Sequence, residues 1–125
     1  MKIAEFLRED LILPDLAQSE KPAVLAELCT ALGRAAIPHG KLAGIPGLLA
    51  TFGRSRKGVD FAAIDGKPTF LFFVLFAPEN SAGIHLKALA RISRLFKSAQ
   101  FRKSIMDAGG APEIFRLIAD EDAKY

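Results

Sequence analysis

Two histidines are the side chains best suited to take up a proton or a transferred group near neutral pH, and both stand in informative local sequence. His39 lies in Ile37-Pro38-His39-Gly40, where Pro38 fixes its own φ and restricts Ile37, and Gly40 removes bulk beside the ring. An imidazole exposed on a rigid turn is expected there. His85 follows Asn80-Ser81-Ala82-Gly83-Ile84 and falls in the first turn of a helix. Free backbone N–H groups and the helix dipole favour an anion at such a position, and an imidazole N–H can donate to a phosphoryl oxygen. Together they suggest a two-histidine phosphate site. The ordinary readings stand beside it: a histidine after proline as a plain turn residue, and a first-turn histidine as a surface or capping residue.

Other chemistries find less support. No third His/Cys ligand stands at metal-binding spacing, no serine sits in a nucleophile-elbow context, and neither GxGxxG nor a Walker motif occurs. Neither a metal nor a cofactor is expected.

The elements that must position the histidines follow from periodicity. Ile3, Phe6 and Leu7 suggest a short opening helix, and Asp10 to Leu16 reads as a strand with Pro14 near its edge. Ser19 is a good N-cap for a helix to about Leu32, with Val24, Leu25, Leu28, Cys29 and Leu32 as the buried stripe and Gly33 as its end. Cys29 is read as a small buried hydrophobe. Leu48 to Ser55 reads as a strand. Thr69 to Ala77 is apolar almost throughout, the pattern of a central strand covered on both faces. Ser81 or Gly83 opens an amphipathic helix to about Lys97 with Leu86, Leu89, Ile92 and Phe96 inward. Ser98 caps the next, which Gly109-Gly110 stops, and Pro112 starts the last, with Phe115 and Ile118 inward. Several strands followed by three helices predict an α+β fold, three layers α/β/α, with a mixed central sheet flanked by helices.

At 125 residues, half of them hydrophobic and 25% charged, the chain is read as one globular domain over residues 1–125. A lone Cys29 makes no internal disulfide, which suits a reducing compartment. No apolar run approaches the ~20 residues of a membrane span, and the amino terminus lacks a signal peptide's apolar stretch, so a cytoplasmic location is expected without membrane insertion. The net charge is +3, with cations scattered among acids except at Arg54, Arg56 and Lys57 and from Lys87 to Lys103. These are read as solvated faces, and the ten phenylalanines as core; no nucleic-acid partner is expected.

The segments Ala36-Ile37-Pro38-His39-Gly40, Lys57 to Pro68 (KGVDFAAIDGKP), Leu75 to Glu79 (LFAPE) and His85 to Ser93 (HLKALARIS) occur in an order that resembles a known family. It is the enzyme IIA domain of the fructose/mannitol class of the bacterial phosphotransferase system, and within it the nitrogen-regulatory IIA proteins. The resemblance covers nearly the whole chain.

It implies that His39 is the phosphoacceptor, taking a phosphoryl group from a phosphohistidine on the small carrier HPr or a relative, and that His85 supports the reaction. It also implies a cytosolic phosphocarrier with unidentified regulatory target proteins. The alternatives are a sugar-specific IIA subunit passing phosphate to a IIB component, and an unphosphorylated protein-binding module of the same fold. The donor is already activated, so positioning and charge stabilisation suffice without a metal.

One departure stands out. Family members carry a further helix and a Gly/Thr-rich loop, with an arginine lining the active site, where Gly33-Arg34-Ala35 here runs directly into Ala36-Ile37. The favoured reading is that the printed sequence omits a segment between Gly33 and Ile37, which predicts a Cα–Cα spacing above the usual ~3.8 Å at one of these junctions. Arg34 is no substitute for the absent arginine.

Overall fold

The computed structural model describes residues 1–36, 47–60, 66–78 and 80–125. A short 3-10 turn, Ile3–Glu5, leads into β1 (Leu7–Leu13), α1 (Lys21–Ala36), β2 (Leu49–Val59), β3 (Thr69–Phe76), α2 (Ala82–Phe96), α3 (Ala99–Asp107) and α4 (Ala111–Asp122). The strands form a mixed sheet in the order β1-β2-β3, with β1 parallel and β3 antiparallel to β2. Its two faces are covered separately, which gives the expected α/β/α layering.

On one face, Val24 and Leu28 of α1 pack with Val59 and Phe72, and Leu13, Leu16 and Val74 complete the cluster. The approach is close: a Cβ at Gly53 would lie 2.8 Å from Leu28 Cδ2 and 2.9 Å from Leu16 Cδ1, so only glycine fits without displacing them. The opposite face is larger and joins Phe52 to Ala88, Ile92 and Leu95 of α2, Phe101 and Ile105 of α3, and Ile114 and Ile118 of α4. Phe96 links it, with ring centroids 5.5 Å from Phe73, 6.0 Å from Phe52 and 5.2 Å from Phe101. Such pairs contribute roughly 0.5–1.5 kcal/mol each beyond the area they bury.

Two irregularities shape the sheet. Leu7 pairs with Ala50 but Ile12 with Phe52, so β1 bulges outward at its charged residues Arg8, Glu9 and Asp10. In β2, Arg54 pairs with Leu71 and Val59 with Thr69. That second bulge turns at Gly58, whose φ of +87° suits glycine and whose N–H donates to Ser55 Oγ at 3.1 Å.

Several expectations are corrected. Leu7 belongs to β1 and not to an opening helix, and β1 begins before Asp10 and ends at Leu13, short of the expected Leu16. The apolar run Thr69 to Ala77 is covered on both faces, yet among the described residues it ends the sheet and β2 holds the centre. Cys29 is exposed and Leu25 half-exposed, because α1 needs only the Val24–Leu28 stripe against the sheet. In α2, Leu86 and Leu89 point outward while Ala88, Ile92 and Leu95 are buried. A helix with apolar residues on most of its circumference supports two candidate faces, and the small Ala88 gave the true one little weight.

Helix α1 also passes through Gly33 and continues to Ala36, so the junctions from Gly33 to Ala36 lie within one helix. The Ala36–Ile37 junction reaches outside the described residues.

Candidate functional site

Helix α2 positions His85. Ser81 is its N-cap, and Ser81 Oγ donates to the carbonyl of Pro78 instead of accepting a helix amide. The first intrahelical bond runs from His85 N to Ser81 O at 3.0 Å. The amides of Ala82, Gly83 and Ile84 precede it without a side-chain cap, and Gly83 leaves open space where a Cβ would stand. No acidic residue occupies the first turn, so nothing there offsets the dipole's positive end. Asn80, at φ 62°, turns the chain from the end of β3 into this helix.

The His85 side chain is half-buried, and its imidazole forms no hydrogen bond or ion pair among the described residues. The amides of Ala82, Gly83 and Ile84, which have no side-chain cap, and an imidazole uncommitted among the described residues can together donate hydrogen bonds to an anion.

His39 lies outside the described residues, as do Ile37, Leu42 and Ile45, expected to flank it as apolar contacts. The expected facing of His39 and His85 lies outside the described residues with it. Among the described residues no group of three or more His, Cys, Asp or Glu side chains could hold a metal ion. No helix among them is long and apolar enough to cross a membrane.

Sequence reasoning placed Arg54 in a solvated basic cluster, and the structure overturns this. Arg54 is fully buried beneath the carboxyl end of α3. Its Nε donates to Pro14 O at 2.8 Å, and Nη1 donates to Ile105 O at 2.8 Å and Ala108 O at 2.6 Å. Carbonyls at a helix's end, the negative pole of its dipole, take the place of a carboxylate partner. Burial, and secondarily Arg56, lowers the Arg54 pKa, while Asp15 and Glu113 oppose the shift. Strand alternation was the available signal, since Arg54 follows the buried Phe52 at a spacing of two. Arg56, by contrast, is exposed and pairs with Asp15 at 2.9 Å.

Residues 30–121 match the family "Phosphoenolpyruvate-dependent sugar phosphotransferase system, EIIA 2". The chain belongs to this family. It is 32% identical to a nitrogen regulatory protein of Bradyrhizobium diazoefficiens, with 95% of each chain covered. It is 31% identical to the fructose-specific EIIABC component of Bacillus subtilis over 98% of its own length, but spans only 24% of that protein. In fold it is similar to nitrogen regulatory protein IIA-Ntr from Neisseria meningitidis, with a TM-score of 0.75, 26% identity, and coverage of 93% of this chain and 98% of that one. The family resemblance read from the residues, including the nitrogen-regulatory type, is borne out. So is the α+β fold.

Proposed function

We propose that this EIIA-family protein is a regulatory phosphocarrier in which His39 accepts a phosphoryl group from an HPr-like phosphohistidine carrier. In that step a neutral ring nitrogen of His39 attacks phosphorus, a new P–N bond forms, and the donor's P–N bond breaks. The donor imidazole leaves with the electron pair and takes up one proton, while the phosphorylated His39 ring releases one to solvent, so charge and protons balance. His85 is assigned a supporting role: an imidazole N–H donated to a phosphoryl oxygen, beside the amides of Ala82, Gly83 and Ile84. The observation that carries the reading is the start of α2 without a side-chain cap, its histidine uncommitted among the described residues, within a chain of this family. A cytoplasmic setting and unidentified regulatory targets belong to the same proposal.

The test is incubation with enzyme I, the HPr-like carrier and phosphoenolpyruvate, read by intact mass. One acid-labile phosphoryl group is expected, and none on His39→Ala. Labelling that persists on His39→Ala overturns the assignment.

The likeness to a fructose-specific EIIABC component favours a second reading, a sugar-specific IIA subunit. Transfer of the label to a IIB domain would distinguish it.

We also propose that a family segment is missing between Gly33 and Ile37. The alignment to the Bacillus subtilis protein runs over 150 positions against a chain of 125, so at least 25 positions of that relative face no residue here. The intact mass of the protein from its source organism tests this: a mass of 13.5 kDa would exclude it.

A further inference from the structure

Between Asn80 and Met106 the sequence has six lysines and arginines and no aspartate or glutamate, so this stretch carries +6 while all other residues together are net −3. It forms α2 and most of α3. Arg91 is committed to Asp122 and Lys103 to Asp107. Lys87, Arg94, Lys97 and Arg102 are exposed and form no ion pair among the described residues. The same helix exposes large apolar side chains: Leu86 is 67%, Ile84 48% and Leu89 40% accessible. Helical spacing puts Leu86, Ala90, Ser93 and Lys97 in one row, with Lys87 and Arg94 beside it. Apolar surface thus sits directly against uncompensated positive charge.

We propose that the outer face of α2, continuing onto the start of α3, docks a partner protein through an acidic surface that carries apolar side chains. Leu86 and Leu89 supply the apolar contact, and Lys87, Arg94, Lys97 and Arg102 the charged rim that steers association and sets orientation. A lipid surface is a poorer fit, because the bulkiest apolar residues of α2, Ile92, Leu95 and Phe96, pack toward the sheet and leave too little outside for insertion. Nucleic acid is a poorer fit because no aromatic side chain of α2 or α3 is exposed for stacking. The surface lies on described residues only and does not depend on phosphoryl transfer to His39.

The test is an amide chemical-shift titration of the full chain with a synthetic helical peptide of alternating glutamate and leucine faces. Shifts confined to residues 84–103 are expected, with affinity falling roughly tenfold or more as salt rises from about 0.05 to about 0.3 M. Leu86→Ser, and separately the pair Lys87→Glu and Lys97→Glu, should each weaken binding by about tenfold or more with an unchanged circular dichroism spectrum, because these side chains are exposed. The proposal is overturned if the peptide does not bind, or if shifts fall elsewhere. Equal binding by a lysine peptide, or by a glutamate peptide without leucine, also overturns it. So does tighter binding to phosphatidylglycerol vesicles or duplex DNA, or self-association that Leu86→Ser abolishes.

Discussion

His85 occupies a place where a small change in chemistry has a readable effect. In the proposed reaction it supplies a hydrogen bond and not the nucleophile, so His85→Ala should slow phosphoryl uptake by about 10- to 1,000-fold yet still permit labelling. A quench-flow time course of mass-detected phosphorylation measures this; a label that persists on His39→Ala and disappears on His85→Ala would make His85 the acceptor. Arg54 illustrates the opposite use of a cation, as an internal fastener. Arg54→Ala would leave the carbonyls of Pro14, Ile105 and Ala108 without their donor in a buried setting. A loss of about 2–4 kcal/mol in urea unfolding is expected, with little change in the slope against denaturant. Arg54→Lys should recover only part of it, since one ammonium cannot span the carbonyls of both β1's exit and α3's end.

At the scale of elements, the fold depends on how closely α1 approaches β2. Gly53→Val would place a branched side chain where even a Cβ meets Leu28 at 2.8 Å. Overpacking of this kind costs about 1–3 kcal/mol, and thermal unfolding should show it as a lowered midpoint. Helix α3 offers a milder probe. Ser98 Oγ accepts from Phe101 N at 3.2 Å, so Ser98→Ala should cost about 1 kcal/mol by the same measurement. The Ser98 cap was legible in the sequence because a capping residue acts on its own neighbours. The inward face of α2 was not, because Leu86 and Leu89 are as apolar as the residues that are buried.

Across the whole molecule, one carboxylate ties the two ends of the chain together. Asp122, near the end of α4, accepts from Ile3 N at 2.6 Å and pairs with Arg91 of α2 at 2.8 Å. Lys2 Nζ donates to the carbonyls of Asp122 and Tyr125, and the Arg94 guanidinium lies 5.1 Å from the Tyr125 ring centroid. Asp122→Ala would leave a buried amide unpaired and a half-buried Arg91 without its counter-charge. A loss of about 3 kcal/mol is expected, together with faster hydrogen exchange at Ile3 and along the last turn of α4. Lys103→Ala, whose exposed pair with Asp107 is screened by water, should leave the urea midpoint unchanged.

Local and periodic signals settled much of this protein in advance. Element types, the α+β class, the cap of α3, His85 at a helix start and the family's ordered motifs all depend on residues a few positions apart, and short-range chemistry writes such features into the chain. What required the tertiary structure were choices between nearly equivalent alternatives. Cys29 and Leu25 are as apolar as Val24 and Leu28, and only the close passage of α1 over Gly53 selects the buried stripe. The apolar β3 resembles a sheet's centre, yet that place belongs to β2, whose Arg54 looked like a surface cation. Its burial depends on α3 ending just above it, 51 residues further along the chain. A charge can be buried where distant carbonyls converge on it, and that convergence exists only in the folded chain.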